Sequence, residues 1–124
     1  MAKSPTSVNS PSAVYMRFLR LVKALEGAGS TPQIDANESA LLNALAERWH
    51  AGHPMTIMQA MALSDLGSPA TLHRRIMRLR QLGMIDAVED DADTRVRHLV
   101  LTPAAVDYFE KLSKTLRSAV SAAI

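Results

Sequence analysis

The feature that most constrains this chain is a change of periodicity at Gly83. Before it, Leu72, Ile76 and Leu79 recur at the spacing of one face of a helix. After it, the apolar residues up to Leu101 follow a period of about two, which is typical of β-strands. Because glycine enters the left-handed backbone region freely, it commonly ends helices. The sequence therefore predicts a helix followed directly by a β-hairpin.

The boundaries of the predicted helix and hairpin are marked by residue type. Ser68 is suited to accept a hydrogen bond from a free amide of the first turn, and Pro69 suits the first helical position because it lacks an N–H. The first predicted strand contains Met84, Ile85 and Val88. The second runs from Val96 to Leu101, and a loop over residues 89–94 joins the two.

The predicted helix is strongly basic. Residues 68–82 contain four arginines and no acid, although the whole chain carries a net charge of only +2. A helix that enters the major groove of DNA needs such a charge, because phosphate contacts supply much of the affinity. Taken alone, the pattern is more often a solvated basic face. The elements around this helix favour the nucleic-acid interpretation.

The residues before Ser68 complete a helix-turn-helix pattern. A short strand is predicted over Pro54–Ile57 and a short helix over Met58–Leu63, with Met58, Met61 and Ala62 available for packing. A tight turn follows over Ser64–Gly67. The order of short helix, glycine-containing turn and longer basic helix is typical of DNA-binding helix-turn-helix units.

Three further helices are expected. The first covers residues 12–27 and is capped by Ser12, with Arg17 placed opposite its apolar stripe. The second runs from Ala36 to His50 behind a capping box in which Asp takes the place of Ser or Thr. Its predicted buried face comprises Leu41, Leu42, Leu45 and Trp49. The last covers residues 103–124.

Both terminal helices carry apolar stripes. Between Ala105 and Ala123 the apolar residues are spaced four, three, four, three and four apart, which is a heptad seam. Such a seam indicates a partner helix, supplied by the first helix, by a second subunit, or by both. The predicted dimerisation residues are Val14, Phe18, Leu21, Leu25, Phe109, Leu112, Leu116 and Ala119.

Composition limits the classes of protein and site. The chain has no cysteine, no apolar run near eighteen residues and no signal-peptide layout at its start, so a cytoplasmic protein without a membrane segment is expected. His50 and His53 lack a third metal ligand nearby, and no glycine follows Asp93 where a calcium loop must turn. We therefore expect no metal, no cofactor and no enzymatic activity.

The acidic loop of the hairpin presents an electrostatic problem. Five acids lie between residues 86 and 93, and they would repel DNA phosphates unless they were paired or turned outward. We expect Asp93 to hold Arg95 or an arginine of the basic helix. A held Arg95 would be positioned for the minor groove. The alternative is a solvated acidic tip without a role in DNA binding.

These segments together resemble the MarR family of bacterial winged-helix regulators. The resemblance rests on residues 68–76 with Leu79, on Gly83–Ile85, on Asp93–Arg95 and on Leu101–Thr102. It implies a mainly α fold with a small β-hairpin, a winged helix-turn-helix flanked by N- and C-terminal helices. It also implies a homodimer on a pseudo-palindromic duplex. Members often repress transcription, and many release DNA when a small molecule binds.

The predicted domain organisation follows. Residues 1–11 are expected to form a flexible tail and residues 12–124 a single domain. Within it, residues 36–101 form the DNA-binding core, and the helices at 12–27 and 103–124 form a dimer platform.

The candidate DNA-contacting residues lie on the basic helix and on the hairpin, which would be the wing. Arg74 and Thr71, with His73, would read base edges, and Arg75 lies near the core edge, within reach of a phosphate or an acid. An alternative function is a protein-interaction module, although residues 68–82 offer none of the aromatics common at such surfaces. The full candidate set is Ser68, Ala70, Thr71, His73, Arg74, Arg75, Arg78, Arg80, Arg95 and Arg97, with Asp93 as wing support.

Overall fold

A computed structural model describes residues 10–121 of the chain. The predicted mainly α fold with one β-hairpin is confirmed. Residues 1–9 of the expected tail and Ala123 of the heptad seam lie outside the described part. The elements are α1 (Pro11–Gly27), α2 (Ala36–His50), α3 (Ile57–Met61), a 3₁₀ turn (Ser64–Leu66), α4 (Pro69–Gln81), β1 (Ile85–Glu89), β2 (Arg97–Leu101) and α5 (Pro103–Ser121).

Capping side chains move two helix starts away from the predicted positions. The Ser10 hydroxyl accepts a hydrogen bond from the Ala13 amide at 3.2 Å, so α1 begins at Pro11 rather than at Ser12. Thr56 and Gln59 exchange side-chain hydrogen bonds with each other's amides, which draws Ile57 into α3. The predicted strand over residues 54–57 is reduced to one bridge, between Thr56 and His98.

The described residues before 33 and after 106 form one compact unit, and Gln33–Val106 form the other. In the second unit Ala60 faces inward, whereas Met58 is 79% exposed and Ala62 is exposed, so their predicted packing was wrong. Trp49 is only half-buried. The buried apolar residues of this unit are Leu41, Leu42, Leu45, Met55, Ala60, Leu72, Ile76, Leu79, Met84, Ile85, Leu99, Leu101 and Ala105.

The hairpin is tied to the core of the second unit on both sides. Its strands pair antiparallel, from Ile85 opposite Leu101 to Glu89 opposite Arg97. The Leu99 amide donates to the Met55 carbonyl at 2.8 Å, along the edge of β2 that β1 does not occupy. The strand alternation therefore sends Ile85, Leu99 and Leu101 into the core, and Asp86 and Val88 are exposed on the other face.

In the first unit, helix α1 buries none of its residues, while α5 buries Thr115 and Ala119. The Arg17 Nε donates to the Ala119 carbonyl at 3.0 Å. Arg17 therefore faces α5, and its predicted position away from the packed face was wrong. Across residues 10–121, no helix is both long and apolar enough to cross a membrane.

Candidate nucleic-acid interface

Helix α4 separates a buried face from an exposed basic face. Leu72, Ile76 and Leu79 are fully or almost fully buried, which fixes the rotation of the helix about its axis. As a result, His73 and Arg74 are exposed on the opposite side, and the exposed Ala70 lies one turn before Arg74. The arrangement offers a helix face of suitable charge for a DNA groove.

The N-terminus of α4 is held by two hydroxyl groups. The Ser68 hydroxyl accepts from the Thr71 amide at 3.3 Å and donates to Thr71 Oγ1 at 3.0 Å. Ser68 is therefore engaged in capping, while the hydroxyl proton of Thr71 stays available for an acceptor outside the protein. Of these two predicted contacts, Thr71 is the better placed to read a base.

Arg75 connects α4 to the turn that precedes it. Its Nη1 donates to the Leu66 carbonyl at 2.8 Å, and the guanidinium lies against Gly67. The predicted partner of Arg75 was a phosphate or an acid. In the structure its Nη1 is bonded to a backbone carbonyl, and the phosphate contact stays a prediction. Arg75 thus helps to fix where α4 begins.

We expect Gly67→Ala to destabilise the protein by about 1–3 kcal/mol. Gly67 has a φ of 151°, a conformation that residues with a side chain rarely adopt, and an added Cβ would lie 3.2 Å from Arg75 Nη1 and 3.4 Å from Thr71 Cγ2. Urea unfolding measures the change. Gly27→Ala is the matched control because no atom lies within 4 Å of its Cβ position and its φ is not positive. Equal stabilities for the two variants would contradict the prediction.

Arg78 is linked to the start of α2. Its Nε lies 3.5 Å from Glu38 Oε2, and the Glu38 side chain is only 11% exposed. Glu38 also closes the capping box with Asp35, accepting from the Asp35 amide at 2.9 Å. An open cavity of about 350 Å³ lies between these elements, lined by Asp35, Glu38, Arg74, Arg75 and Arg78. A phosphate that approaches Arg78 would compete with Glu38.

At the wing tip, Asp93 holds Arg95. One carboxylate oxygen accepts from the Arg95 amide at 3.0 Å and from its Nε at 3.1 Å, and the other accepts from Nη2 at 3.2 Å. These bonds leave the Arg95 side chain 89% exposed. The hydrogen bond from the Arg95 side chain lowers the pKa of Asp93 below its ordinary 3.8. The pair therefore supports the wing above that pH, and the support is lost as the pH falls through the lowered pKa.

Pairing also offsets part of the negative charge of the acidic loop. Besides Asp93 with Arg95, Glu89 lies 3.8 Å from Arg97 and Asp90 lies 3.0 Å from His98. Two of the five acids over residues 86–93, Asp93 and Glu89, thus have an arginine partner on the same hairpin, and Asp90 has a histidine that offsets its charge only when protonated. The expected repulsion between this loop and a phosphate backbone is correspondingly smaller.

The contact between Asp90 and His98 was not predicted from the sequence. His98 Nδ1 also lies 3.3 Å from the Pro54 carbonyl, so the ring joins the wing to the segment before α3. Its hydrogen bond is the main cause that lowers the pKa of Asp90, followed by the bonds from the Ala92 and Asp93 amides. Hairpin pairing alone could have brought Asp90 near His98, but nothing local indicates Pro54.

Comparison with solved structures decides what the fold is. A transcriptional regulator from Thermotoga maritima superposes with a TM-score of 0.62 at 20% identity, covering 86% of this chain and 69% of that one. For AbsC, a MarR family transcriptional regulator from Streptomyces coelicolor, the TM-score is 0.54 at 19% identity, with 89% and 70% covered. The chain has a MarR-like winged-helix fold.

Other proteins with the MarR-like fold have been solved with bound molecules. A variant of S. aureus MepR bound to an oligodeoxyribonucleotide matches with a TM-score of 0.59 at 17% identity, covering 84% of this chain and 70% of that one. Neither a protein-family profile nor the sequence of a curated protein matches the chain. The Thermotoga maritima and Streptomyces coelicolor neighbours are transcriptional regulators rather than enzymes. Within residues 10–121, no group of three or more metal-binding side chains is suitably arranged for an ion.

Proposed function

We propose that this MarR-like chain is a cytoplasmic, sequence-specific DNA-binding repressor that acts as a homodimer on a pseudo-palindromic site. The observation that carries the proposal is the exposed basic face of α4, held in a fixed orientation by its buried face and by Arg75. The oligonucleotide complex of the MepR variant supports it, because that protein has the same type of fold. We also propose that binding of a small molecule releases the protein from DNA, and we assign no binding site to that molecule.

The proposed roles follow the position of each side chain. Arg74 and Thr71, with His73, read base edges in the major groove, because recognition helices contact bases through their N-terminal part. Arg80 lies near the end of α4 and binds phosphate, as does Arg78 in competition with Glu38. Arg95 enters the minor groove from the wing. The remaining members of the proposed interface are Ser68, Ala70, Arg75 and Arg97.

Unburied apolar side chains support the homodimer. Helix α1 buries no residue, so its predicted interface residues Val14, Phe18, Leu21 and Leu25 all retain exposed surface. On α5, Phe109 and Leu112 are half-buried, Leu116 is exposed and Ala119 is buried. A second copy of the chain would cover this apolar surface. The predicted interface set omitted four large apolar residues that are exposed on these helices. They are Tyr15, Met16, Leu19 and Val120.

Selection of duplexes from a randomised library at about physiological salt tests the proposal. We expect enrichment of an inverted repeat whose half-sites lie about one helical turn apart, since a two-fold dimer presents two recognition helices. Recovery without an enriched motif would contradict sequence-specific reading. Absence of any binding would favour the protein-interaction module instead.

We expect Arg95→Ala to weaken binding to sites with A/T-rich flanks by about 1 kcal/mol, roughly five-fold. A narrow A/T-rich minor groove has a strongly negative potential, and Asp93 holds the Arg95 guanidinium in an exposed position. Competition binding with two duplexes that share the half-sites but differ in their flanks measures the effect. Equal losses on A/T-rich and G/C-rich flanks would contradict a minor-groove contact.

A further inference from the structure

Glu38 lies at the start of α2, and its side chain is only 11% exposed. Its two carboxylate oxygens have different partners. Oε1 accepts from the Asp35 amide at 2.9 Å and closes the capping box, while Oε2 lies 3.5 Å from Arg78 Nε. One oxygen therefore serves the start of α2, and the other faces the basic helix α4.

The capping box does not require the negative charge of Glu38. Glutamine serves at the same position of a capping box, because its side-chain oxygen also accepts from the N-cap amide. Hydrogen bonding at the start of α2 therefore explains the oxygen beside Asp35 but not the charge beside Arg78.

The ion pair between Glu38 and Arg78 also contributes little to the stability of the fold. Its 3.5 Å separation is long for an N–H···O hydrogen bond, and the Arg78 side chain is 50% exposed. Pairs with such exposure add little to stability, because solvent screens the two charges. Most of the Arg78 guanidinium thus remains accessible to an anion from solution.

The other charged groups that line the cavity between α2 and α4 do not offset Arg78. The Arg75 Nη1 donates to the Leu66 carbonyl, and Arg74 is exposed. The Asp35 carboxylate accepts from the Glu38 amide at 2.7 Å, within the capping box. Glu38 is therefore the acid of this cavity that lies against the Arg78 guanidinium.

We propose that Glu38 is a positioning residue that acts through Arg78 and limits the affinity of the protein for the duplex backbone. The inference rests on the proposed DNA-binding function. The carboxylate draws the guanidinium towards α2 and offsets its charge, so a phosphate has to displace the carboxylate or share the guanidinium with it. Without the carboxylate charge, Arg78 neutralises one further phosphate.

Counterion release gives the size of the expected effect. Each additional phosphate that a protein neutralises on B-DNA steepens the dependence of log affinity on log salt concentration by about 0.9. For equal affinities at about 1 M salt, this change corresponds to roughly five-fold tighter binding at about 0.15 M. Because phosphate contacts carry no sequence information, the selected and the scrambled duplex are expected to gain equally.

Glu38→Gln tests the proposal, because it removes the charge and keeps an oxygen for the capping box. Fluorescence anisotropy with a labelled scrambled duplex, repeated over a range of salt concentrations, measures the affinity and its salt dependence. We expect about five-fold tighter binding than the parent at about 0.15 M salt and a slope steeper by about 0.9. An affinity and a slope equal to those of the parent would overturn the proposal.

Glu47→Gln is the matched control on the same helix. Glu47 is exposed and lies nine residues after Glu38, which places it roughly 14 Å further along α2 and on the opposite side of the helix. That distance exceeds the screening length of about 8 Å at physiological salt, so we expect binding close to that of the parent. An equal gain in both variants would show a general effect of net charge and overturn the proposal.

A double-mutant cycle with Arg78→Ala tests whether Glu38 acts through Arg78. In the Arg78→Ala background, we expect Glu38→Gln to change the affinity less than two-fold, because no guanidinium is left to release. A five-fold gain that persists without Arg78 would overturn the assigned role. A purely structural effect of Glu38→Gln on α2 would likewise persist in that background.

Glu38→Ala provides a second variant if Glu38→Gln fails to fold. It places no amide beside the Arg78 guanidinium, and the same gain in affinity and slope is expected. If the parent binds DNA and neither folded variant binds more tightly, the role of Glu38 is wrong and the proposed function stands. If the parent binds neither the selected nor the scrambled duplex, the proposed function fails and this inference fails with it.

Discussion

Replacing Arg74 with alanine is expected to lower affinity for the selected duplex by about 1–3 kcal/mol, roughly 5- to 150-fold. The expected cause is loss of a bidentate contact from the guanidinium to a guanine. Affinity for unrelated DNA is expected to change much less, because phosphate contacts supply that affinity. Titration of the selected and the scrambled duplex at the same salt concentration measures both quantities.

Side-chain partners explain the choice of Arg74 among the four arginines of α4. Arg75 donates to the Leu66 carbonyl, and Arg78 pairs with Glu38. Arg80 lies near the C-terminal end of the helix, where contacts to the DNA phosphate backbone are more usual than contacts to bases. Arg74 is exposed and makes no hydrogen bond or ion pair with the residues that the structure describes. Its guanidinium can therefore reach a base without breaking an internal contact.

Arg117→Ala is the matched control for Arg74→Ala. Arg117 is an exposed arginine on α5, so the substitution removes the same charge and side chain from a helix other than α4. We expect this variant to bind both duplexes nearly as the parent does. If Arg74→Ala weakened the selected and scrambled duplexes by the same factor, Arg74 would be a phosphate contact and not a base reader.

Leu116→Glu is expected to convert the proposed homodimer into monomers at micromolar concentration. Leu116 belongs to the heptad seam of α5 and is 52% exposed within one chain. In the proposed dimer the second subunit covers it, and burial of an unpaired carboxylate costs several kcal/mol. Sedimentation velocity measures the change. Because one subunit contacts one half-site, affinity for the full inverted repeat is expected to fall when dimerisation is lost.

Met58→Glu serves as the control for this substitution. Met58 is 79% exposed on α3, in the unit formed by residues 33–106, so the same type of change is made away from the proposed interface. We expect its sedimentation to match that of the parent. A folded Leu116→Glu that sediments as a dimer would show that the seam of α5 does not form the interface.

Local sequence patterns predicted most of the secondary structure, because the residues that start and stop helices act on nearby backbone groups. Ser68, Pro69 and Gly83 act on backbone groups within one turn, and α4 forms between them as expected. Where prediction failed at a boundary, a competing local signal was present. The capping box of Thr56 with Gln59 moved the start of α3, and Ser10 rather than Ser12 capped α1.

The sequence by itself determined the basic face of α4, the helix-turn-helix order and the hairpin, because periodicity and charge lie within single elements. The tertiary structure decided which arginines are available, since their partners Leu66 and Glu38 come from other elements. It also revealed the His98 contact, whose Pro54 acceptor lies 44 residues away along the chain. Local propensities describe a residue and its near neighbours. Distant contacts form only when burial of residues such as Leu42 and Leu99 brings the elements together.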